Sequence, residues 1–97
     1  MFAILVTYVR PLNEIDALLD AHVRFLDEHF ADGTFLAAGR QVPRTGGVIL
    51  ARSGDRAALE KLLTQDPFAI HGAATYQVVE FLASRTAPDL SFLQDKA

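Results

Sequence analysis

Three strand-like segments of this 97-residue chain are apolar on both of their faces, and nothing else in the sequence constrains the fold as strongly. In Phe2-Ala-Ile-Leu-Val-Thr-Tyr-Val9, the side chains of Phe2, Ile4, Val6 and Tyr8 point one way and those of Ala3, Leu5 and Val9 the other. Val48-Ile-Leu-Ala-Arg52 sets Val48 and Leu50 against Ile49 and Ala51, and Tyr76-Gln-Val-Val-Glu-Phe-Leu82 sets Val78 and Leu82 against Val79 and Phe81. A sheet with one wet face alternates apolar with polar residues, so a sheet built from these strands needs cover on both sides.

The chain supplies helices for only one of those sides. After Arg10-Pro11, residues Ile15, Leu19, His22, Leu26 and Phe30 recur at three- and four-residue steps, with Asp20, Arg24 and Asp27 on the far side. This predicts an amphipathic helix of about five turns, ended by Asp32-Gly33. Thr34-Phe-Leu-Ala-Ala-Gly-Arg-Gln41 reads as a second strand with Gly39 as a bulge or close-approach point, and Pro43-Arg-Thr-Gly-Gly47 as the turn to the third. Ser53-Gly-Asp55 offers capping chemistry for a second helix over residues 57–63, with Leu59, Leu62 and Leu63 as its apolar stripe. Asp66-Pro67 ends that helix, because the residue before proline is pushed out of the α region. The tail from Ala87 carries Leu90, Phe92 and Leu93 on one loose turn.

The resulting order, β-α-β-β-α-β, predicts an α+β, ferredoxin-like antiparallel sheet with its first and third strands central and both helices on one face. The simplest cover for the other face is a second copy of the chain, which predicts a homodimer joined through its sheet faces. Residues 1–97 are expected to form one domain, with a core over about residues 2 to 83.

Composition narrows the partners. Nine basic against twelve acidic residues give a net charge of −3 with no basic patch, which argues against nucleic acid. Without cysteine there is no disulfide framework, thiolate nucleophile or sulfur-ligated metal site. The opening apolar run, Phe2 to Val6, is too short to cross a bilayer and lacks the basic flank of a secretory leader, so no membrane partner and a cytoplasmic location are expected.

His22 is the residue most open to chemistry. Within the apolar stripe, its imidazole faces the sheet or a cavity there, either as a core histidine bonded to a backbone carbonyl or as a general acid–base at a pocket floor. His29 lies at the edge of the stripe and reads as a boundary residue, and His71 as an exposed loop residue or a surrogate for His22. Asp66 is ordinary turn chemistry, unless residues 67–71 fold back and bring its carboxylate to an imidazole about 15 Å along the first helix. Arg40 and Arg44 are either solvated or able to grip an anion. The histidine spacing gives no metal set, Ser53, Ser84 and Ser91 lack a nucleophile-elbow context, and Gly46-Gly47 lacks a phosphate-loop setting. No metal and no cofactor are therefore expected.

Across about residues 2 to 83 the chain resembles the YciI-like family (YCII-related domain). The matching pieces are the strand ending near Tyr8, His22, Asp32-Gly33 leading into Leu36-Ala-Ala-Gly39, and Asp66-Pro67-Phe68 followed by Gly72 and the closing strand. The resemblance implies a dimeric α/β barrel and an active site in which His22 and Asp66 form a catalytic dyad. Around the dyad, Tyr8, Gly39, Arg40 and Phe68 are the residues expected to contact a small-molecule substrate. The wider superfamily includes lactone-handling isomerases, dehalogenases and cofactor-free monooxygenases, so acid–base chemistry on a small organic molecule is the expectation, with a non-catalytic ligand-binding module as the alternative. The chain departs from the commoner pattern at Arg40, where a proline or small residue is frequent, and in its short loop between strands two and three.

Overall fold

The computed structural model describes residues 1–52 and 54–95. The elements run β1 (Phe2–Tyr8), α1 (Leu12–Ala31), β2 (Phe35–Arg40), β3 (Gly46–Ala51), α2 (Arg56–Leu63), α3 (Pro67–Ile70) and β4 (Ala74–Glu80), followed by a 3-10 helix over Pro88–Leu93. The strands form one antiparallel sheet in the order β2-β3-β1-β4, with β1 and β3 central, and the helices pack on one face. This is the expected ferredoxin-like α+β arrangement, with α3 inserted between α2 and β4.

The core forms where the inward residues of the strands meet the helices. Ile4 lies opposite Ile49 on one side and Val78 on the other, and Phe2, Ile4, Val6, Ile49 and Ala51 are buried against Ile15, Phe25, Leu59, Leu63 and Phe68. Asp55 caps α2 by accepting from the Ala57 amide, while Ser53, the other expected capping residue, lies outside the described residues. Gly33 terminates α1 with φ +84°, a left-handed conformation open to glycine without strain.

Four sequence expectations are corrected. First, the buried stripe of α1 is Ile15, Phe25 and His29, which places its centre roughly 60° from the arc centred on Leu19 and Leu26. His29 is therefore a core residue, not a boundary one. Its Nδ1 bonds Asp32 Oδ2 at 2.9 Å and its ring sits between Phe25 and Phe35. Thr34 through its hydroxyl and amide, and then His29, hold the Asp32 carboxyl below the usual carboxylate value. Second, the irregularity in β2 falls between Phe35 and Ala37, whereas Gly39 pairs regularly with Val48 and has open space around it. The close approach belongs to Gly46, where an added Cβ would lie 1.7 Å from the Val6 carbonyl oxygen. Third, Gly46 and Gly47 begin β3 instead of completing a turn, because that contact with β1 draws them into the ladder. Fourth, β4 ends at Glu80, with the Phe81 amide still donating to the Met1 carbonyl at 2.9 Å and Leu82 beyond it, and its outer face reads Thr75, Gln77 and Val79.

β1 and β3 do keep an apolar outer face. Leu5, Val48 and Val79 are 37%, 40% and 41% exposed there, beside the half-buried Ala3 and Leu50. The tail returns alongside residues 83–84, with Asp95 and Ala83 bonded through both the carboxylate and the backbone, and leaves Leu90 and Phe92 exposed. Among the described residues, no helix is long and apolar enough to cross a membrane.

Candidate active site

The site begins with the two consecutive residues Asp66 and Pro67. Proline holds Asp66 in an extended conformation (φ −61°, ψ 130°) and itself occupies the first turn of α3, so the same pair that stops α2 starts another helix. Asp66 is the N-cap of α3, its Oδ1 accepting from the Phe68 amide at 3.1 Å. The short helix packs against α1, which is the fold-back that brings the aspartate to the histidine.

His22 Nδ1 lies 2.8 Å from Asp66 Oδ1. No backbone carbonyl takes that place, so His22 is not the backbone-satisfied core histidine that its spacing also allowed. An ionised carboxylate only accepts, which puts the proton on Nδ1 and leaves Nε2 of the neutral ring with its lone pair. Phe68 stacks on the imidazole with centroids 4.0 Å apart and planes 14° apart, and Tyr8 meets Phe68 edge-on at 5.8 Å. The ring is thus fixed by a bond at one nitrogen and an aromatic slab across one face.

A cavity of about 250 Å³ opens beside it. Its wall on α1 is His22 with Leu19, Leu26 and Phe30, which the sequence places in the core stripe, and Val23, which it does not. Because they face a hollow, Val23 and Phe30 are 43% and 39% exposed. Tyr8, Ala38, Gly39 and Arg40 form the sheet wall, and Phe68 closes the end nearest the dyad. All four expected contact residues therefore lie in the cavity wall, together with His22. Asp66 does not; it is 0% exposed and stands behind the imidazole. Asp27, expected on the polar back of the helix, also lines the cavity, as the rotation of α1 requires.

The two arginines separate. Arg44 bonds Asp16 at 2.6 Å and lies 6.0 Å over the Tyr8 ring, so its charge is already engaged. Arg40 has no hydrogen-bond or ion-pair partner among the described residues and faces the cavity. His71 is exposed at the C-terminal end of α3 and takes no part.

One residue escaped the sequence reading altogether. Tyr76 of β4 donates its hydroxyl to Asp66 Oδ2 at 2.5 Å. Burial, with the Asp66 carboxylate beside it, pushes the phenol far above its ordinary value, so it stays a donor throughout the accessible pH range. Strand parity carries the signal, since Tyr76 shares the covered face with Val78 and a covered phenol needs a buried acceptor.

Comparison with known proteins agrees with the fold. The family model for the YCII-related domain matches residues 1–82. A solved structure of the 5-chloro-2-hydroxyhydroquinone dehydrochlorinase of Burkholderia phenoliruptrix, in complex with 2,5-dihydroxybenzoquinone, is similar in fold, with a TM-score of 0.69 and 17% identity over 84% of this chain and 93% of that one. Among curated proteins, none matches.

Proposed function

Because the chain belongs to the YCII-related domain family, we propose that it is a small cytoplasmic enzyme that moves protons on a small organic substrate held in the cavity, lactone-like or bearing a carboxylate. His22 is the general acid–base in this reading, and Asp66 orients its ring and stabilises its charged form. The observation that carries the reading is the 2.8 Å bond between His22 Nδ1 and the fully buried Asp66, at the edge of an apolar cavity. With Nδ1 tied, Nε2 is the nitrogen left to take a proton from bound substrate and return it. Arg40, uncompensated at the cavity wall, suits an anionic group on that substrate, while Tyr8, Gly39 and Phe68 shape the remainder. The similar structure supports the reaction class, since an enzyme named for removing hydrogen chloride must take up a proton as well as release chloride.

The test is turnover in deuterium oxide with small carboxylates, lactones and 5-chloro-2-hydroxyhydroquinone, scored by deuterium uptake and chloride release. His22→Asn should lower the rate found by about a hundredfold or more while keeping the thermal midpoint close to that of the parent protein. An undiminished rate in that variant would dismiss His22 as the acid–base.

The working unit is a homodimer in this reading, with the outer face carrying Leu5, Val48 and Val79 packed on its copy. Sedimentation at micromolar concentration should give twice the chain mass of 10.6 kDa. A Leu5→Glu, Val48→Glu protein should sediment as a monomer. A parent protein that is itself monomeric would refute the assembly.

A further inference from the structure

Asp66 is reached from three directions by donors on three different elements. Oδ1 accepts from His22 of α1 and from the Phe68 amide of α3, while Oδ2 accepts from Tyr76 of β4. We propose that Tyr76 is a positioning residue, which through its hydrogen bond to Asp66 Oδ2 sets how strongly that carboxylate pulls on the His22 imidazole. This inference rests on the His22–Asp66 reading above and adds to it a third member, from the opposite side of the carboxylate.

The two oxygens of a carboxylate share one charge, so a donor on one oxygen lowers what the other offers its partner. Asp66 is 0% exposed, and the Tyr76 hydroxyl is the hydrogen bond made by Oδ2 among the described residues. Water thus has no access through which to exchange for it freely. The bond also ties the carboxylate plane to the sheet, whereas Asp66 sits on a helix of a single turn. A phenol is suited to this task because it stays protonated here and its ring fills the space beneath it. The other titratable or charged groups nearby are Tyr8, Asp27 and Arg40 around the cavity, and Arg56 and Glu60 of α2 in the hollow that Tyr76 lines on its far side. None of them bonds Asp66.

The experiment is an NMR titration of the His22 ring, its signals identified by their loss in His22→Asn. Removing the donor in Tyr76→Phe returns charge to Oδ1, so the pH midpoint of His22 should rise by about half a unit to one unit. Site-specific 3-fluorotyrosine at position 76 is a stronger donor of nearly the same shape and should move the midpoint down, which keeps the test available if Tyr76→Phe fails to fold. A role in packing alone would lower thermal stability in Tyr76→Phe and leave the midpoint where it was; a midpoint unmoved by the fluorinated ring overturns the inference. Asp66→Asn separates the two layers. If it lowers the His22 midpoint while the changes at Tyr76 do nothing, the dyad stands and only the Tyr76 assignment falls. If Asp66→Asn also leaves the midpoint unmoved, the dyad reading itself fails.

Discussion

An Asp66→Ala protein should lose about 3 to 5 kcal/mol of stability and, with it, the proton-transfer activity proposed above. The size follows from what the carboxylate does in the folded chain. Alanine strips the acceptor from the Phe68 amide at the start of α3, from the Tyr76 hydroxyl and from His22 Nδ1 at once. Buried donors without acceptors cost about 1 to 3 kcal/mol each, and a lost helix cap about 1 kcal/mol. Against a total of about 5 to 15 kcal/mol for a domain of this size, that is a large fraction. Thermal denaturation should show a fall of at least about 12 °C. Asp66→Asn is the informative companion. Its amide oxygen can still serve His22 and Phe68, and its NH2 can turn to the Tyr76 oxygen, so most of the stability should survive while the carboxylate beside His22 is gone. A full thermal midpoint in Asp66→Ala would mean that the carboxylate is not the tie between α1, α3 and β4.

A Gly46→Ala protein should fare at least as badly, for a purely steric reason. The added methyl would fall 1.7 Å from the Val6 oxygen and 2.8 Å from its carbonyl carbon, both backbone atoms of the adjacent strand. A flexible side chain could swing aside, but a paired strand cannot, so the β1–β3 ladder must open near Val6 and Thr7. Overpacking alone usually costs about 1 to 3 kcal/mol, and breaking central pairing raises the loss beyond about 3 kcal/mol. Gly39→Ala is the control, with open space at its Cβ, and should change the denaturation midpoint by a few degrees at most. Equal midpoints for the two variants would show that the sheet absorbs the methyl at Gly46.

Much of this architecture was legible in the residues. Apolar two-residue alternation placed β1 and β3 and helical spacing placed α1 with His22, whereas Tyr8, Gly39, Arg40 and Phe68 were grouped with His22 by the family resemblance and not by that topology. What could not be read was the rotation of α1. Val23 and Phe30 line a cavity, Leu19 and Leu26 border it while also packing on the core, and a residue facing a hollow has the same chemistry as one facing a core. Periodicity averages the two and so points between them, which hid the burial of Phe25 and His29. The meeting of His22 and Asp66 depended on a one-turn helix too short to leave a periodic trace; its sequence mark is the Asp-Pro pair, which signals a helix end as readily as a helix start. Gly39 and Gly46 exchanged roles because only the neighbouring strand decides which glycine lacks room for a methyl group.

The two walls of the cavity differ in how freely they can change. On one wall His22 stacks on the buried Phe68 and is held from behind by the buried Asp66; on the other, Ala38, Gly39 and Arg40 sit exposed on β2, at the margin of the sheet. Exchanges at those marginal positions alter the width and charge of the cavity while leaving the His22–Asp66 hydrogen bond in place.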